Sequence, residues 1–393
     1  MNEIILKNFF KKISNDQPIQ YSPNIKVNLI QVAMDEFKNL AIPYKKDSKS
    51  ENVLHLYSDS DSPLRYVKGF YPNNTRLGKS ICADKFLTQR FLDNACVKTP
   101  VGKLFKPDEL VEAKSFISNN SSTKYVLKPV SMSMSLGTFL NVDESNLESS
   151  WERSFNVQKK YKVENPRILI QEQIQGLELR VLVVEGKVDS AVFRGPGNVK
   201  GDGQHTIQEL IEIKNVERSQ HNYLNRNPLK INDNLLENLK NKNLTLETVL
   251  ADGEYCILYS QSDIATGREV FEVSKYLDTN IFNQALDAVT AIPGAHTAGV
   301  DIFVEDLDAT EGTVIEVNLN PALQLHYYPM TGEKTMPLYD IFKNCQIDRK
   351  ILNDEINVNN ITEDELKTIL DRYKYLFNKQ KSLSNSFNMF LNL

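Results

Sequence analysis

Asp301, Glu316 and Asn318 are three oxygen-donor side chains that strand geometry can set on one surface. They fall in Gly299-Val-Asp-Ile-Phe-Val304 and Thr313-Val-Ile-Glu-Val-Asn-Leu-Asn-Pro321, where apolar and polar residues alternate with the period of half-buried strands. Every second strand residue points to the same side, so Glu316 and Asn318 share a face. Antiparallel pairing across residues 305–312 would bring Asp301 onto it. Two carboxylates and an amide then make a hard-oxygen set suited to Mg²⁺, which combines a few carboxylates with substrate phosphate oxygens. The competing reading is a solvated hairpin carrying ordinary charges.

Lys128 closes the apolar run Tyr125-Val-Leu-Lys-Pro129 and precedes residues 131–137, a Ser/Met loop ending in Gly137. Backbone N–H groups of such a loop can cover phosphates; taken alone, a strand-end lysine is as readily a solvated charge. Glu172 ends the apolar run Ile168-Leu-Ile-Gln-Glu172 and can accept from an adenine amino group, with Glu178 in reach of ribose hydroxyls. The plainer alternative is a polar strand exit and a charged turn. Gly78-Lys79-Ser80 lacks the glycine that a P-loop needs five residues earlier, where Asn73 stands. Gly195-x-Gly197 follows a hairpin and lacks the third glycine of a dinucleotide fingerprint.

These residues need elements to hold them. Apolar spacing predicts helices over 27–40, 77–92, 108–118, 207–215, 281–290 and 362–378, with Asp84 supporting the second. Strands are expected over 53–57, 125–129, 138–142, 168–172 and 255–260. A hairpin over 179–194 should turn at Glu185-Gly186. Residues 195–203, with four glycines, read as a loop, 216–247 as a helical or irregular excursion, and the end of the tail as frayed.

The 393 residues are 41% hydrophobic and 25% charged with a formal net charge of -5, which gives no electrostatic footprint for nucleic acid. Cys82, Cys96, Cys256 and Cys345 have no C-x-x-C spacing and read as reduced thiols. The N-terminal apolar residues are interrupted by Lys7, Lys11 and Lys12, and no long apolar run occurs, so a cytoplasmic protein away from membranes is expected. Five scattered histidines and the absence of G-x-S-x-G argue against zinc and serine hydrolases.

Taken in order, Lys85, Lys128 with its loop, Glu172/Glu178, Arg194 with its glycine segment and Asp301/Glu316/Asn318 resemble the ATP-grasp superfamily. The likeness is nearest to the ligase modules of bifunctional glutathione synthetases and cyanophycin synthetase. It is carried by the stretch from Arg194-Gly-Pro-Gly to Gln208-Glu-Leu-Ile211, Asn227-Pro-Leu-Lys230, Ser262-Asp-Ile-Ala-Thr-Gly267, Ala298-Gly-Val-Asp301, Glu316-Val-Asn-Leu-Asn-Pro321 and His326-Tyr-Tyr-Pro329. These cover about residues 65–345 in the family's order.

The resemblance implies an α+β ATP-grasp fold whose two subdomains sandwich the nucleotide. The divisions expected are an N-terminal substrate-side region at 1–78, subdomains at 79–172 and 173–345, and a helical tail at 346–393. It implies a ligase that joins an amino-acid or peptide carboxylate to an amine through an acyl phosphate, using ATP and two Mg²⁺, with Mn²⁺ as a substitute. Lys85 and Lys128 would hold phosphates; Glu172, Gln173 and Ile174 would read adenine, and Glu178 ribose. Asp301, Glu316 and Asn318 would bind metal, and Arg194, Lys128 and Lys200 would assist catalysis. His205, Lys230, Asn320 and His326 are substrate-side candidates. The expected partners are small amino-acid or peptide substrates, with no nucleic acid or membrane, and a homodimer as the assembly considered. A ligase acting on the end of a larger peptide, or a nucleotide binder without ligation, stay open. The 131–137 loop keeps only Gly137 where the family has several glycines, Arg268 replaces a second glycine, and Gly299 stands where D-alanine–D-alanine ligases carry arginine. The chain carries neither companion module of the two named enzymes, so their particular products are not carried over.

Overall fold

Short apolar runs separated by turn residues make antiparallel strands, and longer amphipathic runs make the helices that pack on them. The computed structural model describes residues 3–21, 28–57, 63–119, 122–132, 135–221, 224–225, 227–259, 268–357 and 359–391. The Ser262–Gly267 motif lies outside them, as do two residues of the 131–137 loop. Helices α1 (Glu3–Lys12) and α2 (Leu29–Asn39) precede a three-stranded sheet of β1 (Tyr44–Lys46), β2 (Val53–Leu56) and β3 (Leu64–Val67). Then come α3 (Arg76–Ala83), α4 (Lys85–Asn94), β4 (Gly102–Phe105), α5 (Leu110–Ser118), β5 (Tyr125–Pro129), β6 (Phe139–Val142), α6 (Leu147–Lys160) and β7 (Ile168–Glu172). A hairpin follows, β8 (Leu177–Val184) and β9 (Lys187–Gly195). Strands β10 (Asn198–Lys200) and β11 (Tyr255–Ile257) pair around α7 (Ile207–Gln220) and α8 (Asp233–Asn241). The chain continues through β12 (Glu269–Glu272), α9 (Thr279–Thr290), β13 (Thr297–Val304), β14 (Thr313–Asn318), α10 (Gln324–Tyr327), α11 (Pro337–Leu352) and α12 (Glu363–Leu391).

Two antiparallel sheets organise the site. The smaller has the order β4-β7-β5-β6, and the larger β12-β9-β8-β13-β14. On the smaller sheet Tyr125, Leu127, Ile168 and Ile170 pack with Ala113, Ile117, Leu147 and Trp151 of α5 and α6. Lys128 alternates with Leu127 and so leaves from the opposite face. On the larger sheet Leu179, Val181, Phe193, Val300, Ile302 and Val317 pack under α1 and α9. The alternate residues face the other way.

Three local expectations change. The segment 77–92 is two helices, because the Asp84 carboxylate accepts from the Leu87 N–H at 2.9 Å and starts a new helix there. The glycine-rich segment 195–203 contains β10, whose backbone finds a partner in residues 255–257. The tail helix runs to Leu391 rather than stopping near 378. Glu185 and Gly186 both have positive φ, 47° and 87°, the geometry of a type I′ hairpin turn.

The tail is part of the core. Tyr375 lies on Gly186, where an added Cβ would sit 2.2 Å from its own Cβ, and its hydroxyl donates to the Ala295 carbonyl at 2.7 Å. Lys379 Nζ donates to the carbonyls of Val289, Ile292 and Ala295, tying α12 to the turn that follows α9. Tyr375→Ala is expected to lower the unfolding free energy by about 3 kcal/mol, read as a shifted urea midpoint. Among the described residues no helix is long and apolar enough to cross a membrane.

Candidate active site

The polar face of the larger sheet gathers charge from four strands. Register places Asp301 opposite Glu316 on β14 and opposite Arg180 on β8, and directly opposed residues point to the same side. A bulge between Asp301 and Ile302 leaves Ile315 as the extra residue of β14; it bends the hairpin beside the site. Arg180 grips Asp301 with Nε on Oδ1 and with Nη2 on Oδ2 at 2.8 Å. Arg194 Nη2 pairs with Glu178 and lies 3.4 Å from Asp301 Oδ1. Burial raises the Asp301 carboxyl, but the two arginines outweigh it and hold its pKa below the ordinary value. For Glu178 burial wins over Arg194, and its pKa is raised.

Both expected lysines arrive from the smaller sheet's side. Lys85 is the first residue of α4, and its Nζ donates to the Met132 carbonyl at the entrance of the 131–137 loop. Burial lowers its pKa against the pull of Glu316 and Asp84. Lys128 is 8% exposed, and burial brings its ammonium down to about 8, with Lys85 adding to the effect and Glu316 and Asp301 opposing it. Four residues far apart in sequence, Lys85, Lys128, Asp301 and Glu316, therefore share one electrostatic neighbourhood between the sheets.

Arg180 is a residue that sequence reasoning missed. An arginine inside the run Leu177-Glu-Leu-Arg-Val-Leu-Val-Val184 must find a buried anion, and that demand was the available signal. Gly299 makes its place, since an added Cβ would lie 2.6 Å from Arg180 Cδ and 2.9 Å from Pro321 Cβ. Gly299→Ala is expected to dislodge the guanidinium and to destabilise the protein by about 1–3 kcal/mol. A crystal structure with the Arg180–Asp301 pair unchanged would refute this.

The other expected site residues divide. Glu172 and Ile174 are half-buried at the end of β7. The Gln173 side chain is occupied, accepting from the Asn141 N–H at 2.6 Å and donating to Asn141 Oδ1 at 3.1 Å. Asn318 Oδ1 accepts from the Asn320 N–H at 2.9 Å, while Asn320 rests against Gly69. Lys200, His205 and Lys230 belong to the β10–β11 module. There Lys200 sits over the Tyr255 ring, His205 Nδ1 is 2.5 Å from Asp202 Oδ2, and the Lys230 backbone bonds Tyr259. Among the described residues these contacts stay within that module.

His326 is fully buried, with Nδ1 2.7 Å from Ser190 Oγ. Ser190 and Thr335 both donate to Asp189 Oδ2, at 2.7 and 2.6 Å. A hydroxyl has one hydrogen, so Ser190 accepts from Nδ1–H and the lone pair falls on Nε2. That atom is buried without a partner among the described residues. Burial first, then Arg180 and Arg194, bring the ring pKa down to about 3, and the imidazole is neutral.

The donor set fits a hard cation with phosphate. The Glu316 carboxylate has no hydrogen bond or ion pair among the described residues, and Asp301 Oδ2 keeps a lone pair beyond its one arginine contact, whereas Oδ1 receives both Arg180 and Arg194. Among the described residues no group of three or more His, Cys, Asp or Glu could hold a metal alone, so phosphate oxygens would complete the coordination.

No family model matches the chain. It is 29% identical over 272 residues to the glutathione biosynthesis bifunctional protein of Enterococcus faecalis, covering 67% of this chain and 35% of that protein. The Streptococcus agalactiae counterpart is 30% identical over 295 residues, 72% of this chain and 38% of its relative. The chain thus spans little more than a third of these curated relatives. A bifunctional glutathione synthetase from Pasteurella multocida shares the fold with a TM-score of 0.63 at 20% identity, over 85% of this chain and 44% of that one. By fold the chain is an ATP-grasp protein, and its sequence is similar to a part of the bifunctional glutathione biosynthesis proteins.

Proposed function

We propose that this protein is an ATP-dependent ligase that joins the carboxylate of an amino acid or short peptide to an amine, releasing ADP and phosphate. The observation that carries this is the convergence of Lys85 and Lys128 from one side on Asp301 and Glu316 from the other, with Arg180 and Arg194 beside them. Such a set can hold a triphosphate and a carboxylate together between two subdomains, 79–172 and 173–345.

Lys85 and Lys128 pair with the nucleotide phosphates, Glu172 and Ile174 border the base, and Glu178 the ribose. Asp301, Glu316 and Asn318 would hold Mg²⁺, which supplies charge neutralisation at the phosphates; ligases of this fold generally use ATP and Mg²⁺. The substrate carboxylate attacks the γ-phosphorus, the bond to the β-phosphate oxygen breaks, and an acyl phosphate forms with ADP leaving. A neutral amine then adds to the acyl carbon, Arg194 faces the developing oxyanion, and phosphate departs. Met132, whose carbonyl accepts from Lys85 Nζ, brings residues 131–132 beside these phosphate-binding lysines, where they would help to exclude the water that hydrolyses an acyl phosphate.

The test is to incubate the protein with ATP, Mg²⁺ and pairs of amino acids or dipeptides, following phosphate release and product mass. Phosphate release that depends on both substrates, with an amide product, is expected. ATP cleavage without product under every pairing would count against ligation of small substrates.

A further inference from the structure

Helix α12 is fastened to the body along one side only. Tyr375 and Lys379 are buried against the turns that end β8 and α9, whereas Leu366, Leu370, Tyr373 and Phe377 are 42, 57, 70 and 60% exposed. Their spacings of four, three and four residues keep them within about 60° of arc at ~100° per residue, on the side away from Tyr375. Exposed Leu376 and half-buried Ile369 widen one edge of the row. A contiguous run of large apolar side chains on a solvent-facing helix marks an association surface.

The row itself indicates what covers it. A four-three-four spacing reads the same from either end. A second α12, laid antiparallel about a two-fold axis between residues 371 and 372, sets Leu366 opposite Phe377 and Leu370 opposite Tyr373. Each contact is then made twice, as an isologous interface requires. The alternating three- and four-residue steps are those of helices that interlock along a seam. Charge favours the same direction. The first turn holds Glu363, Asp364 and Glu365. The latter two are engaged by Lys343 and Lys350, while Glu363 stays exposed on the flank of the row. Lys381 lies exposed on that same flank, five turns further on. Antiparallel pairing brings each Glu363 beside the second copy's Lys381; parallel pairing would set like charges together.

We propose that α12 is a dimerisation helix that pairs antiparallel with α12 of a second copy of this chain. Tyr375 packs under the apolar face of the larger sheet, opposite the face that carries Asp301 and Arg180. Both candidate sites therefore look away from the two-fold axis, and the pairing is separable from nucleotide binding.

Sedimentation velocity on the full chain tests this. The wild type is expected at twice 44.9 kDa. Leu370→Glu and Tyr373→Glu should each raise the dimer dissociation constant by at least about tenfold, with the circular dichroism spectrum and ATP affinity unchanged. Glu363→Lys and Lys381→Glu should each weaken the dimer, and the double swap should restore it. A monomeric wild type overturns the proposal. So does a dimer insensitive to Leu370→Glu and Tyr373→Glu, and so does a double swap that fails to restore association, which would mean another register or another partner.

Discussion

Asp301→Asn is expected to fold and to lose about 10²–10³ in ligation rate, because one neutralised side chain serves three neighbours at once. The asparagine keeps the shape but returns a single oxygen acceptor to Arg180, which is almost fully buried. It removes one of the two carboxylates beside Arg194, leaving Glu178, and it deletes one of the two carboxylates proposed for Mg²⁺. Leaving a buried guanidinium without its anion should also lower stability by about 3 kcal/mol. The two effects separate in a second variant. Replacing both partners, Asp301→Asn with Arg180→Met, removes the unpaired cation and should recover most of the stability while activity stays lost. Denaturant melts and steady-state rates on the three proteins decide the matter. An Asp301→Asn enzyme with near-normal turnover would show that the pair is structural and that the site lies elsewhere.

The part of this arrangement legible in the sequence is the part set by period. Alternation across 299–304 and 313–321 placed Glu316 and Asn318 together, and antiparallel pairing with Asp301 opposite Glu316 is what forms. Glu185-Gly186 was readable as a tight turn because a two-residue hairpin of this kind needs two positive φ values. Arg180 was not, since its partner stands 121 residues away and only sheet order makes them neighbours. Nor was β10, whose glycine-rich sequence carries no strand signal and whose pairing depends on residues 255–257. Asp84 was seen as helpful to a helix N-terminus, yet its stronger preference for capping divides one expected helix into two and makes Lys85 the first residue of the second. Local pattern fixes which residues share a face; chain-distant packing fixes which charges meet.

Lys128→Met should give the opposite pairing of effects, a protein more stable in isolation and nearly inert. Burial holds the Lys128 ammonium at about 8 against an ordinary value of 10.5. The unfolded chain therefore binds more protons than the folded one between those limits, and stability rises with pH across that window. Below it, the folded protein carries a charge that its surroundings disfavour, so an apolar replacement of similar length should stabilise by about 2 kcal/mol at neutral pH. Nucleotide phosphates reverse the balance, since they supply the anion that the buried ammonium lacks. ATP should then bind the wild type with uptake of a proton near pH 8 and progressively more weakly above it, while the variant binds about 10²-fold more weakly with no such pH step. Calorimetry in buffers of different ionisation heat reads the proton directly. Equal affinities for wild type and Lys128→Met across this range would mean that the lysine never meets a phosphate. A matched loss of stability instead would mean that its charge is already satisfied by Glu316 and Asp301, which would leave the two sides of the cleft linked by an ion cluster rather than by a nucleotide.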